Sequence, residues 1–240
     1  MQDLFIADAH LRDPNDANYR RLLEFLSGKI GQVRTLYLLG DIFEFCLGYR
    51  HVVYVAHVPL FCCLERMRQA GTRIVYVEGN HDFNLGDYFA ADIGCTVLPD
   101  GGMVEIDGLQ VYLAHGDLTD ASDRGYRLLR SFFRSRLIRF LSGWIHPDRI
   151  RSIGDWSGKN SAGKKRPARP VAEIKAILLE SAERAFAAGA SVVVVGHYHT
   201  PLCEKTENGT LIALGDWIEN SSYAVCEDGL FRLEEYRSPS

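Results

Sequence analysis

Seven side chains scattered along the chain share one kind of chemistry: Asp8, His10, Asp41, Asn80, His115, His197 and His199. Each offers an oxygen or nitrogen donor, and none is a cysteine. Such donors suit Mn2+, Fe2+, Zn2+ or Mg2+, and the several imidazoles disfavour an all-Mg2+ site. In Asp8-Ala9-His10 and His197-Tyr198-His199 the paired donors stand two residues apart. That spacing puts both on one side of a continuing strand, or fans them out where a loop begins. A shared carboxylate such as Asp41 would bridge two cations about 3.5–4 Å apart, and the water between them would ionise near neutrality. The hydroxide would then be poised for in-line attack on phosphorus.

Any one of these residues alone reads as a turn or capping residue. Their positions argue otherwise, because five apolar strand patterns end at them. Leu4–Ala7 runs into Asp8, Thr35–Leu39 into Gly40-Asp41, and Arg73–Val77 into Glu78-Gly79-Asn80-His81-Asp82. Gln110–Ala114 leads to His115-Gly116-Asp117, and Ser191–Val195 to Gly196-His197. Helical spacing fills the intervals: Asn18–Ile30 with Tyr19, Leu22, Leu23, Leu26 and Ile30 on one face, Val52–Gln69 closed by Gly71, and an Ala-rich Val171–Ala188. Strand, helix, strand is the signature of βαβ units, and open α/β sheets gather ligands beyond the carboxyl ends of their strands. Further on, Asp107-Gly108 and Asn208-Gly209 mark hairpins, and Ser222–Glu234 adds strand signal. Between Leu118 and Pro170 no strand pattern appears. The expectation is one α/β domain over residues 1–240 with a helical insertion near 120–170.

Composition narrows the class. At 240 residues and 47% hydrophobic the chain can bury a sizeable core. A net charge of −4 argues against a nucleic-acid binder, and the basic run Lys159–Arg169 reads as a solvated loop. The six cysteines form no CxxC pair, which fits reduced thiols in the cytosol, with Cys62 and Cys63 expected in the core. The N-terminal MQDLFIADAHL lacks the pattern of a signal peptide, and no apolar run is long enough to span a bilayer. His51, His57 and His146 carry no motif and are expected to be ordinary surface or core residues.

With these motifs in order, the sequence resembles the calcineurin-like metallophosphoesterase family. The resemblance implies a four-layer α/β/β/α sandwich. It implies one cation on Asp8, His10, Asp41 and His199, and a second on Asp41, Asn80, His115 and His197, with Asp41 bridging. It also gives His81 the role of orienting the phosphate or protonating the leaving group, with Asp82 holding its imidazole. FIADAHL, LGDIFEF, EGNHDFNLGDYFA and GHYHTP look more closely like the UDP-2,3-diacylglucosamine diphosphatases of lipid A synthesis. That likeness implies a nucleotide-linked glycolipid substrate, Mn2+ as the usual metal, and a cap over a lipid groove. Asn80, His81 and His197 would then also face the substrate, and Asp123, Tyr126, Ser161 and Lys165 would contact its glucosamine and phosphate groups. Many members of that group carry arginine where this chain has His81, which keeps a soluble nucleotide or phosphate ester as the alternative substrate. A metal-free scaffold is disfavoured because all seven donors are present.

The segment Tyr126–Ile145 reads as an amphipathic helix. Leu129, Phe132, Phe133, Arg136, Phe140 and Gly143 follow one side, and Arg127, Arg130, Arg134 and Arg139 add positive charge. Aromatic, apolar and basic residues in this pattern suit either an interface with anionic lipid or a helix packed on its own domain with its arginines in water, and the resemblance to a lipid-processing enzyme implies the inner-membrane surface, reached from the cytoplasm.

Overall fold

The computed structural model describes residues 1–49, 51–86, 88–142, 144–146, 148–149 and 169–237. Two sheets pack face to face. The first has six strands: β1 (Gln2–Ile6), β2 (Val33–Leu38), β4 (Arg73–Val77), β6 (Cys95–Leu98), β12 (Ser222–Glu227) and β13 (Leu230–Glu235). Its order is β13-β12-β1-β2-β4-β6, with β1, β2, β4 and β6 parallel. The second has five: β7 (Gly102–Ile106), β8 (Leu109–Ala114), β9 (Val192–Val195), β10 (Pro201–Lys205) and β11 (Thr210–Leu214), in the order β10-β11-β9-β8-β7. Two short strands, β3 (Cys46–Leu47) and β5 (Asp82–Phe83), pair by themselves.

Period-2 alternation sorts the side chains into three apolar layers. In β1, Leu4 and Ile6 face helices α1 (Ala17–Gly28) and α2 (Val58–Gln69), while Phe5 faces the second sheet. In β9, Val192 and Val194 face the first sheet, while Val193 and Val195 meet helix α5 (Val171–Ala187). Burial on both faces explains why these strands read as unbroken apolar runs. The layers are therefore α1 and α2, sheet, sheet, α5, the four-layer α/β/β/α arrangement.

Several expectations shift. A 3-10 turn at Val55–His57 precedes α2, which starts at Val58 because Pro59 suits a first helical turn and not an interior one. His57 is a core residue, its ring 4.1 Å from that of Phe43. Cys63 is buried, but its neighbour Cys62 is exposed, since adjacent helical residues point about 100° apart. The Tyr126–Ile145 stretch is not one helix. α3 (Arg124–Phe133) ends at Arg134, and α4 (Arg136–Ser142) begins after a turn. Its outward side is apolar, with Leu128 74% and Trp144 80% exposed. Arg130 and Arg134 do not join that surface. They turn inward onto Asp117, Asp100 and Glu78. Gly143, Ser161 and Lys165 lie outside the described residues.

Leu36, on β2, has no exposed surface and packs in the layer between the first sheet and helices α1 and α2. Leu36→Ala is expected to lower the unfolding free energy by about 3 kcal/mol. Urea denaturation followed by circular dichroism checks this, and a loss under about 1 kcal/mol would show the layer packed differently.

Candidate metal centre

Six neighbouring strands deliver polar side chains to one edge of the sandwich. β1, β2 and β4 lead to Asp8 and His10, to Asp41, and to Asn80; β8, β9 and β11 lead to His115, to His197 and His199, and to Asp216. Backbone bonds lace these loops together. Asp8 N–H donates to the Gly40 carbonyl at 3.1 Å, and Gly196 N–H to the His115 carbonyl at 2.8 Å. His197 N–H reaches across the seam between the sheets to Asp8 Oδ2 at 2.7 Å. The loops approach so closely that a Cβ on Gly79 would lie 2.2 Å from Asp41 Oδ1. Gly40 adopts φ +81° immediately before Asp41, a left-handed turn that suits a residue without Cβ.

The seven predicted donors converge. One group joins Asp8, His10 and His199; another joins Asp41, His115 and His197. His10 Nε2 lies 3.4 Å from His199 Nε2, and His199 Nε2 lies 3.6 Å from Asp8 Oδ1. Asp41 Oδ2 is 3.9 Å from His10 Nε2 and 3.5 Å from His115 Nε2, so it touches both groups. Asn80 Oδ1 is 3.0 Å from His115 Nε2.

Tautomers follow from the partners. A carbonyl only accepts, so His115 Nδ1–H donates to Leu39 O at 2.9 Å and its Nε2 faces inward. His10 Nδ1 stands 3.3 Å from Glu44 Oε2, and His199 Nδ1 3.6 Å from Asp216 Oδ2. Holding the outer ring nitrogen on a carbonyl or carboxylate is how ligating histidines are commonly oriented. Burial pushes the Asp8 carboxyl up to about 7, against the pull of His115. Burial acts likewise on Asp41, but His115, His81 and His10 hold it well below the ordinary carboxylate range. Burial disfavours charge on His115, yet Asp41 and Asp8 lift it to about 10. His197, buried beside His115, is pushed down to about 4.

This donor set fits divalent cations. Asp8 Oδ1 is buried and lacks a hydrogen-bond partner, an expensive state for an anionic oxygen unless a cation faces it. With each Nδ1–H turned to its carboxylate, the Nε2 atoms of His10 and His199 face each other 3.4 Å apart as two lone pairs with no donor between them.

Other residues take roles the sequence reading did not assign. Asp82 does not hold the His81 imidazole. Its carboxylate accepts N–H bonds from Asp41, Ile42, Phe43 and Gly79 and the hydroxyl of Tyr76, fixing the two loops to each other. Burial and the Asp41 charge push it up to about 6. The His81 ring instead donates Nδ1–H to the Glu44 carbonyl at 2.8 Å. Asp123 caps α3 through Tyr126 N–H, and the Tyr126 hydroxyl donates to Asp117 at 2.6 Å. Glu44 and Asp216 went unassigned, although Gly215-Asp216 follows a strand just as Gly40-Asp41 does.

Carboxylates, imidazoles and an amide meeting at the carboxyl ends of a two-sheet sandwich define a metal-dependent phosphoesterase. The chain belongs to the calcineurin-like phosphoesterase family, which it matches over residues 2–201. A UDP-2,3-diacylglucosamine hydrolase of Ralstonia nicotianae is 32% identical over 96% of this chain and 91% of that one. One from Aeromonas salmonicida is 31% identical over 100% of this chain and 95% of its own length. A novel archaeal phosphodiesterase, 16% identical, shares the fold with a TM-score of 0.51, covering 98% of this chain and 100% of that one. The chain is a metal-dependent hydrolase of phosphoester or diphosphate bonds.

Gly79→Ala forces Asp41 or the 78–82 loop to move. Turnover of bis-p-nitrophenyl phosphate in Mn2+ is expected to drop about 100-fold, because a shift of about 1 Å misaligns reacting groups. Undiminished turnover with a native circular dichroism spectrum would contradict this packing.

Proposed function

We propose that the chain cleaves the diphosphate of UDP-2,3-diacylglucosamine, releasing UMP and 2,3-diacylglucosamine 1-phosphate for lipid A synthesis. The observation that carries this reading is the donor cluster lying beside helices with an apolar outer side. Phe133 O accepts from Asn84 Nδ2 at 3.2 Å, and the Phe83 and Phe133 rings are 6.3 Å apart, so the apolar helices abut the loop bearing Asn80 and His81. The names of the similar proteins support the same substrate.

On this reading Asp8, His10, Asp41 and His199 hold one cation, and Asp41, Asn80, His115 and His197 hold another, with Mn2+ the first choice. When bound, the cations supply Lewis acidity towards water and the phosphate oxygens. The protein orients the groups around them. His81 presents Nε2 to the site, 3.9 Å from Asp41 Oδ2, where it steadies a phosphate oxygen or passes a proton to the departing group. Asn80 and His197 also border the phosphate. Asp123, Tyr126, Ser161 and Lys165 contact the glucosamine and its phosphate. Residues 1–240 act as one domain, with about 120–170 as a helical cap.

The enzyme works from the cytoplasm on the inner-membrane surface. Among the described residues no helix is long and apolar enough to cross a membrane. Contact is made instead by Leu128, Phe132, Leu137, Phe140 and Trp144, all exposed. His81, standing where the diphosphatase group often has arginine, favours a second reading: a soluble nucleotide or phosphate ester.

Incubation of the Mn2+-loaded protein with UDP-2,3-diacylglucosamine, UDP-glucose and bis-p-nitrophenyl phosphate separates the two. UMP from the lipid, with much slower release from the soluble compounds, is expected; preference for a soluble ester refutes the lipid reading. Asp41→Asn and His115→Ala are each expected to reduce turnover of every substrate to buffer level while the fold persists, since Asn tolerates the left-handed backbone at position 41.

Replacing Phe132, Phe133 and Trp144 together with serine is expected to weaken binding to phosphatidylglycerol vesicles at least tenfold. The unaltered protein would lose affinity in high salt as well. Unchanged vesicle affinity in a sedimentation assay would remove the membrane contact from this account.

A further inference from the structure

Arg134 ends α3, the helix whose other side is apolar, yet only 12% of its side chain is exposed. Its guanidinium donates to the Gly79 carbonyl at 2.8 Å, to Glu78 Oε2 at 3.1 Å and to the Pro99 carbonyl. Glu78 Oε1 in turn accepts Leu85 N–H at 2.8 Å, so one carboxylate joins Arg134 to the far end of the loop. Gly79 directly precedes Asn80. The plane of the peptide between them is fixed on the oxygen side by Arg134, and nothing larger than Gly79 fits against Asp41. From that peptide Asn80 Oδ1 reaches His115, and His81 N–H donates to Asp41 Oδ1 at 2.9 Å.

We propose that Arg134 is a positioning residue for the hydrolysis. Its planar fork holds the Gly79–Asn80 peptide, sets where Asn80 and His81 stand, and ties α3 to the site. This rests on the reading given above, that Asn80 and His81 serve the reaction. The fork matters because three acceptors lie around one guanidinium, and an ammonium on a flexible stem cannot meet them with the same geometry. A displacement of about 1 Å at Asn80 or His81 costs on the order of 100-fold in rate.

The test measures kcat and KM for bis-p-nitrophenyl phosphate, a substrate with no lipid to bind, together with thermal unfolding. Arg134→Met is expected to lower kcat about 100-fold with KM little changed, the signature of an interaction made in the transition state. Arg134→Lys is expected to recover part of the loss, and added guanidinium ion to restore part of the activity of Arg134→Ala. In the Asn80→Ala background Arg134→Met should cost little more, because both changes act on one element. Arg20→Met, on the exposed side of α1, is the control and should match the unaltered protein.

A kcat unchanged in Arg134→Met overturns the proposal. So does a loss that multiplies in full with that of Asn80→Ala, or one that guanidinium and lysine leave untouched. Should Arg134→Met fail to fold, the lysine variant decides alone: native kcat and KM would overturn the role. Full turnover in Asn80→Ala and Asp41→Asn would instead sink the site reading, whatever Arg134 does.

Discussion

Asp8 and Asp41 are anionic groups buried at the seam between two sheets, with 0% and 2% of their surface exposed. Taking a carboxylate out of water is among the costliest operations in folding unless donors or cations surround it. The architecture around them supplies those partners from every side. Asp8 Oδ2 receives the His197 amide, Asp41 Oδ1 receives the His81 amide, and imidazoles flank both. What remains unsatisfied is Asp8 Oδ1, on the side where His10 and His199 also turn their ring nitrogens. Positive charge is the missing element, and the family to which the chain belongs works with divalent ions. The same burial that makes the site costly keeps bulk water from screening it, so each electrostatic contact there counts for more than on the surface.

The two sheets must then be held in register to well under an ångström, because four of the seven donors follow strands of the first sheet and three follow strands of the second. Asp82 shows how this is done within the first sheet. One carboxylate collects four backbone N–H groups and a tyrosine hydroxyl, locking the turns after β2 and β4 together. Between the sheets the His197 amide bond to Asp8 and the His115 ring bond to Leu39 do comparable work. Loss of any of these would leave a buried polar group without a partner at about 1–3 kcal/mol, a larger effect than one surface ion pair provides.

The core of this arrangement was legible from sequence because two signals coincided: apolar runs with strand length, and Gly-Asp, Gly-Asn or Gly-His at their ends. Strand β6 escaped because Cys95–Leu98 is short and only Cys95 is buried, so neither alternation nor an apolar run announces it. The break between α3 and α4 escaped because Arg134-Ser135 carries no glycine or proline. The resemblance gives Asp82 the task of holding the His81 imidazole, as carboxylates commonly do behind functional histidines. At a tight turn, however, adjacent side chains diverge, and the His81 ring went to the Glu44 carbonyl instead. The inward turn of Arg130 and Arg134 depends on where Asp117 and Glu78 sit in three dimensions, which no helical period encodes.

Asp8, His10, Asp41, His197 and His199 all adopt positive φ, between 45° and 73°. For residues with a side chain this region costs on the order of 1 kcal/mol each, although Asp and His tolerate it better than branched residues do. Five such residues at one edge of a sandwich are strain that the packed apolar layers must offset. Fanning two donors out of Asp8-Ala9-His10 and His197-Tyr198-His199 requires that sharp reversal, since a continuing strand would send both side chains along one face of its sheet. The apolar runs of β1 and β9 are therefore the counterpart of the strained ends. Fully buried strands anchor the chain firmly enough that the residues beyond them can be bent towards one point.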